Sequence, residues 1–281
     1  MKANEELFWL LIEEGFSKGD TTVFDKYTSL DFIEHQYDFI LPNVESVKKA
    51  IYGEVNGVKV NGVSHHFYQH MKIEHTKITD KIHLLTFRNQ PDITSTFLRF
   101  QEYYESPNFR GKFFSLDEFK QWYIKTSPKG IESGEFTYYS DWNGFNIPSY
   151  ILKPFYDGKF NPLSEAEEKL LEIFKKEVGI FYIIGIYQGT KKANQLLNHE
   201  IAHGLFYTDD NYRADVLQLL SQFDIDTIKE ELRSKAGYHE EVLDDEVQAY
   251  NIDSVSNLKT PIPEKLSMEL KKVYEKYLRK N

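Results

Sequence analysis

The chain has 281 residues, 15% of them aromatic, and a net charge of -10; this is ample apolar material for one or two cores, and it argues against disorder throughout. An acidic surface with no long Lys/Arg run repels a phosphate backbone, which sets nucleic-acid binding aside. The lack of cysteine excludes disulfides, Cys-ligated zinc, iron–sulfur clusters and a thiol nucleophile. No run approaches the roughly 20 apolar residues of a transmembrane span. The opening "MKANEELFWLLIEEGF" is interrupted by acids and lacks the apolar core of a signal peptide, so a soluble, cytoplasmic protein is expected.

Residues 4–17 place Leu7, Leu10 and Leu11 beside Phe8, Ile12 and Phe16 at helical spacing. "TTVFDKY" predicts a second short helix, and "NVESVKKAIY" (43–52) a third with Asn43 as its cap. The run "KGD", "VFDKYTSLDFIEHQ" and "VESVKKAI" resembles the opening of SnoaL-like proteins, a branch of the NTF2-like α+β fold. The segment 52–66, rich in Gly, Asn and Val, reads as a hairpin or linker, so residues 1–65 are expected to form a helical module separable from residues 70–281.

Alternation over 71–87 predicts two strands about a turn at Thr79-Asp80. Helices are expected over 92–106 and 115–126, the second with Ser115 and Glu118 as a capping box. "GEFTYYSDWNGFNIPSYIL" (134–152) has strand character at both ends around a turn-like "DWNGFN". A helix over 164–177 with Ser164 and Glu167 as a capping box precedes the β-branched and aromatic strand "GIFYIIGIY" (179–187). "QGTKKAN" then turns the chain into a helix carrying "NHEIAHGLFYTDD" (198–210), followed by helices over "DNYRADVLQLLSQ", "DIDTIKEELRSKAG", 240–252 and from about 263.

On a helix, residues four apart share a face, so His199 and His203 can offer a ring nitrogen each to one ion. Glu200 sits beside the first, placed to hold water and take its proton. Two imidazoles and a carboxylate suit Zn2+, and the ring nitrogens that do not bind metal need acceptors of their own. The bland alternative is a chance match on an ordinary helix. The flanking Leu196, Leu197, Leu205 and Phe206 argue against it, because they predict a buried helix whose polar groups need partners.

A strand followed by an HExxH helix resembles the zincin superfamily of metallopeptidases. The resemblance implies an α+β domain with a strand along the substrate cleft, an HExxH helix and a third metal ligand further on. In one branch that ligand lies six positions after the second His, here Asp209, although Phe206 replaces the turn glycine. In the gluzincin branch it is a Glu on a later helix. "DDEVQAY" offers Glu246, 43 residues after His203, in a setting resembling the gluzincin second helix. Glu246 is favoured, with Asp209 and Asp245 as alternatives and a solvated acidic face as the bland reading. Tyr250, Tyr207 and His239 are candidates for hydrogen-bonding a developing oxyanion. "HHFYQH", with His66 and His70, reads as a linker without a following glutamate.

The resemblance implies a zinc-dependent peptidase with Glu200 as general base and an extended polypeptide as substrate, laid along "GIFYIIGIY" by β-augmentation. A non-catalytic zincin-like interaction protein and a hydrolase of a non-peptide amide are the alternatives. The intact Glu200 favours catalysis, because a scaffold has no need of it.

Overall fold

The computed structural model describes residues 71–236, 239–252 and 258–280. The expected N-terminal helices, the 52–66 segment, His66, His70 and the SnoaL-like stretch lie outside these residues. Ile73–Leu163 and Glu167–Asn281 form one compact unit. It is mixed α+β, mainly helical around a four-stranded sheet.

The alternating segment folds as expected into β1 (Ile73–Thr79) and β2 (Ile82–Phe87), an antiparallel hairpin. Its turn is closed by the Thr79 hydroxyl, which accepts from the Lys81 and Ile82 amides at 3.2 and 3.1 Å. Helix α1 (Gln90–Glu105) starts where Asn89 accepts from the Asp92 amide and Pro91 occupies the first turn. Helix α2 (Leu116–Thr126) carries the expected Ser115–Glu118 capping box. Short helices follow at Pro128–Ser133 (α3), Tyr138–Asp141 (α4) and Lys153–Tyr156 (α5), and α6 spans Glu165–Phe174. Glu167 also takes two hydrogen bonds from buried Arg99, at 2.6 and 2.5 Å, while Arg99 satisfies the Phe160 and Pro162 carbonyls.

Two expectations are corrected here. The segment 134–152 does not have strands at its ends: α4 and a 3₁₀ turn (Ser149–Leu152) stand there. The strand β3 (Gly144–Pro148) begins inside the turn-like 141–146 and runs two residues into the stretch expected to be strand. Asn143-Gly144 mimics turn chemistry, but Gly144 serves close approach: a Cβ there would come within 2.8 Å of Leu196 Cδ2. The second correction concerns β4 (Tyr182–Tyr187). It is not the sheet edge. The order is β1-β2-β4-β3, so β4 pairs parallel with β2 and antiparallel with β3. An uninterrupted apolar run suits a strand covered on both faces, and among the described residues β1 and β3 are the outer strands.

The register assigns the faces. Tyr182, Ile184 and Ile186 of β4, with Ile82 of β2, pack against Ile201, Ala202 and Leu205 of α7 (Ala193–Thr208). Gly185, on the opposite face, admits Phe97 and Ile93 of α1, where a Cβ would stand 2.7 Å from the Phe97 ring. Gly204 lets α7 settle on Ile82 and Tyr182 in the same way. Helices α8 (Asp210–Leu220), α9 (Asp226–Ala236), α10 (Leu243–Ile252) and α11 (Glu264–Lys280) continue the α7 layer. Val216, Leu232, Val247, Leu266 and Leu270 close its core. Each such side chain contributes about 1.5–3 kcal/mol by burial. No described helix is long and apolar enough to cross a membrane.

Candidate metal centre

The turn after β4 is held by Thr190, whose hydroxyl accepts from the Tyr187 amide and donates to the Tyr187 carbonyl. Lys192 enters α7 through the left-handed region at φ 55. The helix then presents His199 and His203 on one side, with their Nε2 atoms 3.1 Å apart. Helix α10 packs against this side, and its first turn carries Asp244, Asp245 and Glu246, where acids also complement the helix dipole.

The three acids have different fates. Asp244 is partly solvated and pairs with Lys229 at 2.7 Å. Asp245 accepts from His203 Nδ1 at 2.9 Å and from Gln248 Nε2 at 2.8 Å, and Tyr212 in turn donates to Gln248 at 2.7 Å. Asp245 therefore orients His203 from behind. Glu246 is buried, with Oε1 3.8 Å from His203 Nε2 and Oε2 lacking any hydrogen-bond partner. The alternative ligand Asp209 is used elsewhere: it caps α8, accepting from the Asn211 and Tyr212 amides at 2.9 and 3.0 Å.

His199, His203 and Glu246 thus bring three ligand atoms within 4.8 Å of one another. A tetrahedral centre with bonds of about 2.0–2.2 Å spaces its ligands roughly 3.4 Å apart, which the 3.1 and 3.8 Å separations bracket. Both histidines have their outer nitrogens engaged, His203 by Asp245 and His199 by the backbone of Ala249. With those nitrogens donating, the two Nε2 atoms face each other across 3.1 Å, a spacing that a shared proton or a metal ion between them satisfies. The orphaned Glu246 oxygen points to the same need. These residues fit a metal ion.

Glu200, one position after His199, is buried against the sheet. Asn146 pairs with Ile184 in the register, which turns its side chain to the α7 face. There Asn146 Nδ2 donates to Glu200 Oε2 at 2.6 Å, and Tyr182 donates to Asn146 Oδ1 at 2.5 Å. Burial pushes the Glu200 carboxyl up to about 7, aided by the charges of Glu105 and Asp245 and opposed by His203 and Asn146. Burial likewise raises Glu246 to about 8, against the pull of His203. His199 falls to about 3, through burial and then the charge of His203. Burial opposes charge on His203 too, but Asp245 and Glu246 outweigh it and lift the imidazole well above its ordinary value.

The remaining candidates separate. The Tyr250 ring packs edge-on against His199, 5.0 Å between centroids. Tyr207 stands between Tyr182 and Tyr150. His239 is largely exposed and caps the 3₁₀ turn Glu240–Val242, its Nδ1 3.7 Å from Glu241. It is not among the residues gathered at the cluster. Asn146 and Glu105 were missed in the sequence. Glu105, at the end of α1, is exposed and accepts from Gln101 Nε2 at 2.7 Å. No short motif marks either residue; strand register and the close of α1 bring them in. No family model, curated protein or solved structure matches the chain.

Proposed function

We propose that the chain is a zinc-dependent peptidase of zincin-like, gluzincin-type architecture, with His199, His203 and Glu246 as ligands. The observation that carries this reading is the convergence of two oriented imidazoles and an unpartnered buried carboxylate beside Glu200. A zinc ion held there would supply Lewis acidity and lower the pKa of water toward neutrality. Glu200 is the general base: Asn146 holds Oε2, leaving Oε1 to take a proton, and a carboxyl near 7 is matched to that task. Tyr250, beside His199, is the candidate to hydrogen-bond a developing oxyanion.

An extended polypeptide fits because β3, the outer strand next to β4, runs past Glu200. The Asn146 amide points away from β4 and donates to Gln101 Oε1 at 3.2 Å, so an incoming strand would replace that side chain in pairing with β3. The test is zinc content together with incubation of a peptide library, read by mass spectrometry. Wild type and Glu200→Gln should both hold one zinc per chain. Only wild type should make internal cuts, with Glu200→Gln slower by about a hundred- to ten-thousand-fold. Equal cutting by both proteins, or no zinc in either, would sink the assignment.

A further inference from the structure

Beyond the end of β3 the surface opens into a groove of about 430 Å³, walled by Tyr150, Tyr156, Ile180, Phe181 and Tyr207. Its apolar side chains are unusually open to water: Tyr150 is 54% exposed, Tyr156 47% and Ile180 58%. Such a patch in a concave surface marks a binding site more often than chance exposure does.

The groove is joined to the metal centre through packed side chains. Tyr207 follows His203 by one helical turn on α7, and its ring lies 5.8 Å from Tyr182, whose hydroxyl binds the Asn146 that holds Glu200. Tyr150 touches Tyr207 on one side and Tyr104 on the other, at 6.2 and 6.4 Å between centroids. From Asn146 to Tyr150 is four positions of chain, about 13 Å if extended, so a peptide lying along β3 would reach the groove within a few residues of Glu200.

Charge at the rim narrows the occupant. Lys153 pairs with Asp157 at 2.7 Å, and Glu177 pairs with Lys77 at 3.0 Å. Ser149 is engaged with the backbone of Phe181, which extends the sheet ladder one step. With those groups partnered, the groove offers ring faces and an isoleucine, complementary to an uncharged, flat, apolar side chain.

We propose that this groove is a side-chain subsite that selects an aromatic residue of the polypeptide substrate, close to the bond cut. The proposal rests on the peptidase reading for the identity of the substrate, but the pocket itself can be tested without catalysis. N-acetyl-phenylalaninamide and N-acetyl-alaninamide would be titrated into the full chain and followed by NMR. The groove variants are Tyr150→Ala and Ile180→Asp, both at exposed positions outside the core, with circular dichroism to verify folding. The phenylalanine amide should bind wild type about tenfold or more tighter than the alanine amide, the scale of one buried apolar side chain. Both variants should lose that margin. In the peptide library, wild-type cuts should be enriched for an aromatic residue at one fixed position, and Ile180→Asp should cut with that preference gone. Equal binding of the two amides by wild type overturns the subsite, whatever the cleavage result. An aromatic preference that survives in Ile180→Asp also overturns it. Aromatic binding lost in the variants, with no cleavage by zinc-loaded wild type, upholds the pocket and removes the peptidase reading instead.

Discussion

Two pairs of histidines in this molecule look alike at close range and differ in what surrounds them. His75 Nε2 and His83 Nδ1 are 2.8 Å apart; His199 Nε2 and His203 Nε2 are 3.1 Å apart. Burial depresses one ring strongly in each, His83 to about 4 and His199 to about 3. The first pair is stacked, its rings meeting Phe174 and Phe181, and His83 Nε2 has no partner. One nitrogen of each ring is consumed in the bond between them. In the second pair the outer nitrogens are held by Asp245 and the Ala249 backbone, so the facing nitrogens can share a proton or a metal ion, and Glu246 adds a carboxylate beside them. Proximity and burial of imidazoles therefore do not make a metal centre. The outer acceptors and the carboxylate are what make the second pair a candidate.

Zinc affinity is the largest expected contrast. His199→Ala and His203→Ala should each lose more than about a hundredfold, beyond the 10–100-fold typical of losing an outer partner. His75→Ala and His83→Ala should bind as wild type. Chelator competition on the purified proteins measures both, and zinc loss in the His75 or His83 variants would erase the distinction.

Next is Asp245→Asn, which keeps size but weakens the hold on His203 Nδ1. Zinc affinity should fall by about 10–100-fold with the fold intact. An unchanged affinity would mean that Asp245 is not what orients the ring.

The His75–His83 pair should reveal itself in stability rather than in binding. The His83 pKa is lowered in the fold, so the unfolded chain takes up the proton first. Stability from this residue is present above about 6.5 and is lost as pH falls toward 4. Between pH 7 and 5 wild type should lose on the order of 2 kcal/mol relative to His83→Phe. Urea unfolding at both pH values measures the difference, and parallel pH profiles for the two proteins would refute it.

The smallest effect concerns the rejected ligand. Asp209→Ala removes the cap of α8 and should cost about 1 kcal/mol of stability. Zinc affinity should stay the same, and a large drop would return Asp209 to the ligand set.

What the sequence determined by itself is local. Helical periodicity and caps placed α1, α2 and α6 to α11, the capping box at Ser115–Glu118 among them, and alternation placed the β1–β2 hairpin. The spacing of His199, Glu200 and His203 needed only the pitch of one helix. The choice among Asp209, Asp245 and Glu246 did not follow from spacing. Asp209 is a cap by local contact with the two amides that follow it, whereas Asp245 became a histidine orienter and Glu246 a candidate ligand only when α10 packed on α7. The tertiary structure likewise decided that β4 lies inside the sheet and that β3 begins within a stretch resembling a turn. An apolar strand has the same pattern whether one or both of its edges are paired, and its partners lie far away in the chain. Asn146 reaches Glu200 across 54 residues through that pairing, a distance over which neither periodicity nor motif carries information.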